Sequence, residues 1–218
     1  MAAIPALTER RKEFGEKVQA VLPGRDRMLC ALRGEPPLGH GNTIAEGIAV
    51  KFPGKLTSEV VRARVDAVLL VEEAQLEEAV ALYLFIEKTV AEGAGAAPLA
   101  ALLAHPDRFK GRKVGLLLSG GNIDPRLLAS VIMRQLIREG RVVTLRIPIT
   151  DRPGTLAKVT GVLRDSGANI MEIQHHRTLL ALPAKEASIE ISFEARDREH
   201  GLAVIKALCD AGFDPEIV

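Results

Sequence analysis

The run Arg146-Ile147-Pro148-Ile149-Thr150-Asp151-Arg152-Pro153-Gly154-Thr155-Leu156 constrains this chain more than any other stretch. Apolar residues alternate up to Thr150, as in a strand with one buried face, and Asp-x-Pro-Gly-x-Leu then leads straight into an amphipathic helical pattern. Pro153 pre-sets φ for a first helical turn, Gly154 admits another molecule close to the backbone, and Asp151 or Thr155 supplies a cap. The free N–H groups of such a helix start, at the positive end of its dipole, suit a carboxylate. A capped strand-to-helix turn without a ligand has the same local sequence, so the residues that follow decide between the two.

A helix is predicted from Gly154 to about Ser166, with Leu156, Val159, Val162 and Leu163 on one face and Gly167 at its end. Residues 169–173 and 187–193 alternate as strands, with a hairpin turn at Leu182-Pro183-Ala184-Lys185. A second helix spans 198–211, with Leu202, Ile205 and Leu208 inward, and residues 213–218 form a closing strand. The order is βαββαβ in roughly 75 residues, the split ferredoxin-like arrangement. With the Asp-x-Pro-Gly-x-Leu turn between its first strand and first helix, this unit resembles the ACT domains. The resemblance implies an amino-acid effector at a domain interface, held by Asp151, Pro153, Gly154, Thr155 and Leu156 with Asn169 and Ile170 nearby. It also implies a homo-oligomer paired through the ACT sheet edge or helices.

The chain has 218 residues, 47 % of them hydrophobic, and a formal net charge of +1, so two units around two cores are expected and an electrostatic nucleic-acid binder is not. The same βαββαβ order occurs in RNA-recognition domains, but those stack bases on strand aromatics, and here the first strand has none and the 187–193 strand only Phe193. No apolar stretch reaches the roughly 18 residues of a membrane span, and the N-terminus has no secretory pattern. Cys30 and Cys209 form no metal or redox spacing and read as small buried fillers of a cytoplasmic protein. His175 and His176 point to opposite faces of a strand and cannot easily chelate one ion, so no metal site is expected.

Upstream, strand and helix patterns alternate. Residues 65–71 and 113–118 read as buried strands, 72–90 as a long helix with Leu76, Val80, Leu84 and Glu87 on successive turns, and Ala91 to about His105 as an Ala- and Leu-rich helix. The second strand stops at Ser119-Gly120-Gly121-Asn122, and Asp124-Pro125 start a helix that reaches Gly140. Alternation of this kind points to a mainly parallel sheet with ligands near strand C-terminal ends.

Three segments occur in a telling order: Gly41-Asn42-Thr43-Ile44-Ala45-Glu46-Gly47-Ile48-Ala49-Val50-Lys51, Glu92-Gly93-Ala94-Gly95-Ala96, and Leu118-Ser119-Gly120-Gly121-Asn122-Ile123-Asp124. Together they resemble the C-terminal half of threonine/serine dehydratases of the fold-type II pyridoxal-phosphate family, and an ACT tail behind that half matches the regulated threonine dehydratases. The resemblance runs from about Gln19 to Val218. It implies pyridoxal phosphate as cofactor, with Ser119 bonded to its pyridine nitrogen. Gly120, Gly121 and Asn122 would form the turn beside the ring, with Glu92 next to it. A neutral hydroxyl there moderates the ring as an electron sink, which suits β-elimination. Capping of a helix start explains Glu92 nearly as well, and the 41–49 stretch suits packing around the pocket.

The same family places the cofactor on a lysine in a Ser-Phe-Lys-x-Arg-Gly-like segment, and uses a Ser-x-Asn-His-type substrate loop and a glycine-rich phosphate loop. None occurs in these 218 residues. Lys110 in Phe109-Lys110-Gly111-Arg112 stands in an ordinary surface turn, so no catalytic residue is assigned. Thr8 to Lys17 looks helical and unlike the family, and Gln19 stands where relatives carry an acidic metal ligand, which suggests a truncated or alternative-start product.

The expectation is therefore an α/β partial fold-type II domain over residues 1–140, followed by an α+β ferredoxin-like ACT domain over 141–218. Its function would be threonine dehydratase-like: deamination of threonine to 2-oxobutanoate and ammonia, under control by isoleucine or valine, with this chain inactive alone for want of the lysine segment. The alternative is a non-enzymatic amino-acid-binding and oligomerisation module.

Overall fold

In the computed structural model, residues 18–21, 29, 30, 33, 43–50, 52–177 and 186–218 are described. The chain divides into two compact units, residues 1–131 and 132–218, and the division falls within a helix. The boundary expected after Gly140 lies further along the chain than this division, past the end of that helix. The predicted hairpin turn at 182–185, the charged 8–17 segment, and residues 41, 42 and 51 lie outside the described residues.

The first unit pairs β1 (Val18–Val21) in parallel with β2 (Ala67–Leu70). Around them stand a 3-10 turn (Glu46–Ile48) and helices α1 (Lys55–Arg64), α2 (Glu73–Phe85), α3 (Gly93–Ala104) and the short α4 (Pro106–Phe109). Leu76, Ala79, Val80 and Tyr83 of α2 pack on Ala96, Ala97, Ala100 and Ala101 of α3, with Val71, Ala91 and Val131 completing the core. The small alanines of α3 let the two helices approach closely, so burial here comes from backbone proximity as much as from large side chains.

Two expectations need correcting in this unit. Helix α2 stops at Phe85 rather than near Val90, because the Lys88 ammonium binds the Phe85 carbonyl at 2.7 Å and Lys88 itself turns left-handed at φ 55°. Leu84 is then half-buried and Glu87 exposed. Residues 113–118 are neither strand nor buried: Val114 is 40 % and Leu117 78 % exposed. An apolar run forms a buried strand only beside neighbours that take up its backbone bonds, and the described strands of this unit, β1 and β2, pair with each other.

Helix α5 (Pro125–Arg138) is capped by Asp124, whose Oδ1 accepts the Leu127 N–H at 3.0 Å. The second unit follows as β3 (Val142–Thr150), α6 (Thr155–Asp165), β4 (Asn169–His176), β5 (Glu186–Glu194), α7 (Arg198–Asp210) and β6 (Glu216–Ile217). The βαββαβ order is as read, and the antiparallel sheet runs β4-β5-β3-β6. Leu145, Ile147 and Ile149 of β3 and Ile189, Ile191 and Phe193 of β5 present one apolar face to Val159, Leu163, Val204 and Leu208 of the helices. Burying side chains of this size contributes about 1.5–3 kcal/mol each.

Leu156 and Leu202, expected inward, are 36 % and 56 % exposed; Val204 takes the place assigned to Leu202. Leu156 lies in the first turn of α6, and Leu202 lies on the outward side of α7, whose buried residues are His200, Gly201, Val204 and Leu208. The closing strand shrinks to two residues opposite Leu145 and Arg146. Cys30 is buried, but Cys209 is exposed, so the filler reading holds for the first alone.

Candidate functional site

Three stretches far apart in the chain meet in the first unit. Glu92 occupies the N-cap position of α3, yet its side chain makes no capping bond. Instead the carboxylate lies over the Ser119–Gly121 turn: a Cβ on Gly120 would stand 2.3 Å from Glu92 Oε1. The backbone ties the same pair, since the Glu92 N–H donates to the Gly120 carbonyl at 3.2 Å. The capping explanation of Glu92 is thereby replaced by a contact with the turn.

Gly120 itself has φ +82°, a conformation that favours glycine. Gly95, the third residue of α3, has the Ser119 carbonyl so close that a Cβ would meet it at 2.0 Å. The turn is thus pressed onto the N-terminal end of α3. Gly47 of the 3-10 turn closes the other side, with an added Cβ 3.1 Å from Ala94 Cβ and 3.7 Å from Glu92 Oε1. All three sequence segments singled out above therefore converge, although residues 41 and 42 of the first are not described. Ser119 and Asn122 remain exposed at this place. Ser119 makes no side-chain hydrogen bond among the described residues, so its hydroxyl is open to a ring nitrogen of a flat heteroaromatic ligand. The ring end of pyridoxal phosphate thus fits; no described group is placed as a phosphate cradle. Lys110 is the exposed C-cap residue of α4.

In the second unit, Gly154 is the N-cap of α6 at φ +89°, with no side-chain cap bond and open space around it. The Thr155 hydroxyl donates to the Thr150 carbonyl at 3.3 Å and the Arg152 N–H to the same oxygen at 2.8 Å. The capping role offered for Asp151 and Thr155 does not arise. Asp151 pairs instead with Arg177, Oδ2 to Nε 3.4 Å.

Asn169 and Ile170 are not beside this turn within one chain. Asn169 faces Glu194, which also pairs with Val142, whereas the turn follows Thr150 at the other end of β3. Eight residues of strand separate the two levels, roughly 25 Å. Asn169 Nδ2 donates to Glu194 Oε2 at 2.9 Å, and Asn169 and Ile170 line a shallow depression of about 490 Å³ with Thr160, Arg164, Gly167 and Ala168. The residue that β4 does bring to the turn is Arg177, which sequence reading missed; its place one residue after β4, a strand parallel in direction to β3, was the available signal. Glu73, whose carboxylate binds Thr43 and Ile44, was missed as well. His175 and His176 pair with Ile189 and Ser188, on opposite faces, and no group of His, Cys, Asp and Glu able to hold a metal occurs among the described residues. No described helix is long and apolar enough to cross a membrane.

The pyridoxal-phosphate dependent enzyme family matches residues 7–120, and the ACT domain family matches residues 143–211. The L-threonine ammonia-lyase of Thermotoga maritima is 39 % identical over 176 residues, 81 % of this chain and 44 % of that protein. The enzyme of the same name from Geobacter sulfurreducens is 40 % identical over 171 residues, 78 % of this chain and 42 % of that protein. The chain thus spans less than half the length of these relatives. Among solved structures, a fungal L-serine ammonia-lyase from Rhizomucor miehei superposes with a TM-score of 0.50 at 19 % identity, covering 60 % of this chain and 44 % of that one, a likeness of fold alone. Membership implies pyridoxal phosphate as the cofactor. By the family match over its first half and the ACT match behind it, this chain belongs to the pyridoxal-phosphate dependent enzymes, carries a C-terminal ACT domain and is similar to L-threonine ammonia-lyases.

Proposed function

We propose that this chain supplies the pyridine-nitrogen side of a threonine dehydratase site and the amino-acid sensor that governs it. The reaction converts threonine to 2-oxobutanoate and ammonia: the β-hydroxyl leaves as water, and water is taken up again as the amine is released. Bound pyridoxal phosphate supplies the electron sink for the carbanion left when the α-proton is lost. Ser119 would hold the ring nitrogen with a neutral hydroxyl, Gly120 and Gly121 would let the turn lie against the ring edge, and Asn122 would flank it. Glu92 would keep that turn in place. The carrying observation is the exposed, uncommitted Ser119 hydroxyl on a turn clamped by Glu92 and Gly95.

The lysine segment that would carry the cofactor and move the α-proton is not among these residues, so the chain alone is inactive, since no covalent route is open to it. In a reduced cytoplasm it would bind cofactor reversibly. Purified chain titrated with pyridoxal phosphate should show saturable binding, weakened by Ser119→Ala, without formation of 2-oxobutanoate from threonine. An absence of saturable binding sinks the cofactor assignment; turnover by the chain alone sinks the inactivity.

The uncapped start of α6 supports the sensing role. Its free N–H groups and helix dipole would take the carboxylate of isoleucine or valine at Asp151, Pro153, Gly154, Thr155 and Leu156. β4 and β6 each have one neighbouring strand, and Met171, Ile217 and Val218 are exposed along them, which suits pairing of ACT units in a homo-oligomer. Asn169 and Ile170 of one copy would then serve the turn of another. Amino-acid binding without turnover is also what a purely regulatory module would do. Calorimetry with both amino acids decides the sensing role: heat of binding supports it, and none from any branched-chain amino acid removes it.

A further inference from the structure

Glu73 opens α2, but its carboxylate reaches a neighbouring loop. Oε1 accepts the Ile44 backbone N–H at 2.6 Å, and Oε2 accepts the Thr43 hydroxyl at 2.7 Å. The same hydroxyl oxygen accepts the Ala45 N–H at 3.0 Å. Two charge-assisted bonds from one carboxylate therefore hold residues 43–45 in a single shape, and Ala45 is fully buried beneath them.

This loop touches the start of α3 at two points. The Ile44 carbonyl lies on Gly93, where a Cβ would meet it at 2.4 Å. Gly47 lies near the same helix start, where an added Cβ would stand 3.1 Å from Ala94 Cβ and 3.7 Å from Glu92 Oε1. Glu92 in turn meets Gly120, so a shift of residues 43–47 passes to Glu92 and on to the turn that carries Ser119. The approach of the Ile44 carbonyl to Gly93, next to Glu92, is too close to absorb it, as close-packed interiors transmit strain. Stabilising its own helix does not account for Glu73, because Glu72 and Gln75 already form a capping box there, with the Glu72 N–H donating to Gln75 Oε1 at 2.8 Å.

We propose that Glu73 is a positioning residue for the Ser119 turn: by locking Thr43 and Ile44 it sets where Glu92, and through it Gly120 and Ser119, stand. The proposal rests on the reading of that turn as the cofactor's ring-nitrogen seat, and its test keeps the two apart.

Amide hydrogen exchange on the full chain reads the linkage without any cofactor. In Glu73→Gln the amides of Ile44, Ala45 and Glu92 should exchange about tenfold faster, while those of α7 in the ACT unit stay as they were. Thr43→Val should produce the same pattern more weakly and Thr43→Ser should restore it, a distinction that general destabilisation would not make; this pair carries the test if Glu73→Gln fails to fold. Pyridoxal phosphate titration of the same variants should show affinity reduced about fivefold in Glu73→Gln. Faster exchange at Ile44 with Glu92 unchanged overturns the proposal, as does an equal effect of Thr43→Val and Thr43→Ser. If the parent chain binds no cofactor, the seat assignment fails while the exchange data still decide the role of Glu73.

Discussion

The carboxylate of Glu92 lies against the α-carbon of Gly120, so near that a methyl group there would meet Oε1 at 2.3 Å. Contact of this kind between the cap of one helix and a remote turn ties that turn to the start of α3, while residues 119–122 stay exposed. Gly120→Ala combines that clash with a left-handed φ of +82° and should destabilise the first unit by about 2 kcal/mol. Because the obstructing atom ends a flexible side chain, Glu92→Ala in the same chain should recover part of the loss. Urea denaturation of the four proteins of this cycle provides the measurement, and strict additivity would contradict the contact.

Gly95→Ala differs in kind. Its Cβ would meet the Ser119 carbonyl at 2.0 Å, and no side-chain truncation relieves a backbone clash. A loss of at least ~3 kcal/mol is expected, with no recovery from Glu92→Ala. Loss of pyridoxal phosphate binding should accompany it even where the fold survives.

Gly154→Ala provides the opposite case. Nothing stands within 4 Å of its added Cβ, so only the backbone conformation at φ +89° is penalised, by about 1–2 kcal/mol. The ACT unit should remain folded by circular dichroism, while binding of isoleucine or valine, if the amides at this turn hold the carboxylate, falls in calorimetry.

His200 joins the two helices of the ACT unit. Its Nδ1 accepts the Arg196 N–H at 3.1 Å, so the ring proton sits on Nε2, which donates to the Ser166 carbonyl at 2.8 Å. His200→Ala leaves both backbone groups without partners in a nearly buried place and should cost about 2–4 kcal/mol. Thermal melts of the variant and of His200→Gln, which can keep one bond, should rank parent, Gln, Ala in falling order.

Tyr83 makes the first unit sensitive to alkali. Burial, and next the nearby Glu87 carboxylate, hold its phenol above the ordinary pKa of 10.0. The folded state therefore keeps its proton where the unfolded chain has begun to lose it, so stability is full below about pH 10 and declines as pH rises beyond it. Tyr83→Phe should flatten that decline in denaturation curves taken across the alkaline range.

The ACT half was legible because its signals are local. Alternation in β3 and β5, glycines after both helices and the Asp-x-Pro-Gly-x-Leu turn name their own structure within a few residues. The misreading of Leu202 arose because apolar character alone does not say which side of a helix meets the sheet: in α7 that side carries His200, Gly201, Val204 and Leu208. The catalytic half was legible mainly through resemblance. Its apolar run at 113–118 has the composition of a buried strand, but composition does not supply the neighbours that make it one.

By itself, then, the amino-acid order determined the elements of the second unit, the family and the three segments around Ser119, since propensity, turn chemistry and motif are properties of neighbouring residues. Tertiary structure alone decided that Glu92 bears on Gly120 instead of capping its helix, that Glu73 binds Thr43 and Ile44, and that Arg177 rather than Asn169 reaches Asp151. Each of those is a contact between residues distant in the chain, and which distant groups meet depends on packing and strand register, quantities that no local pattern carries.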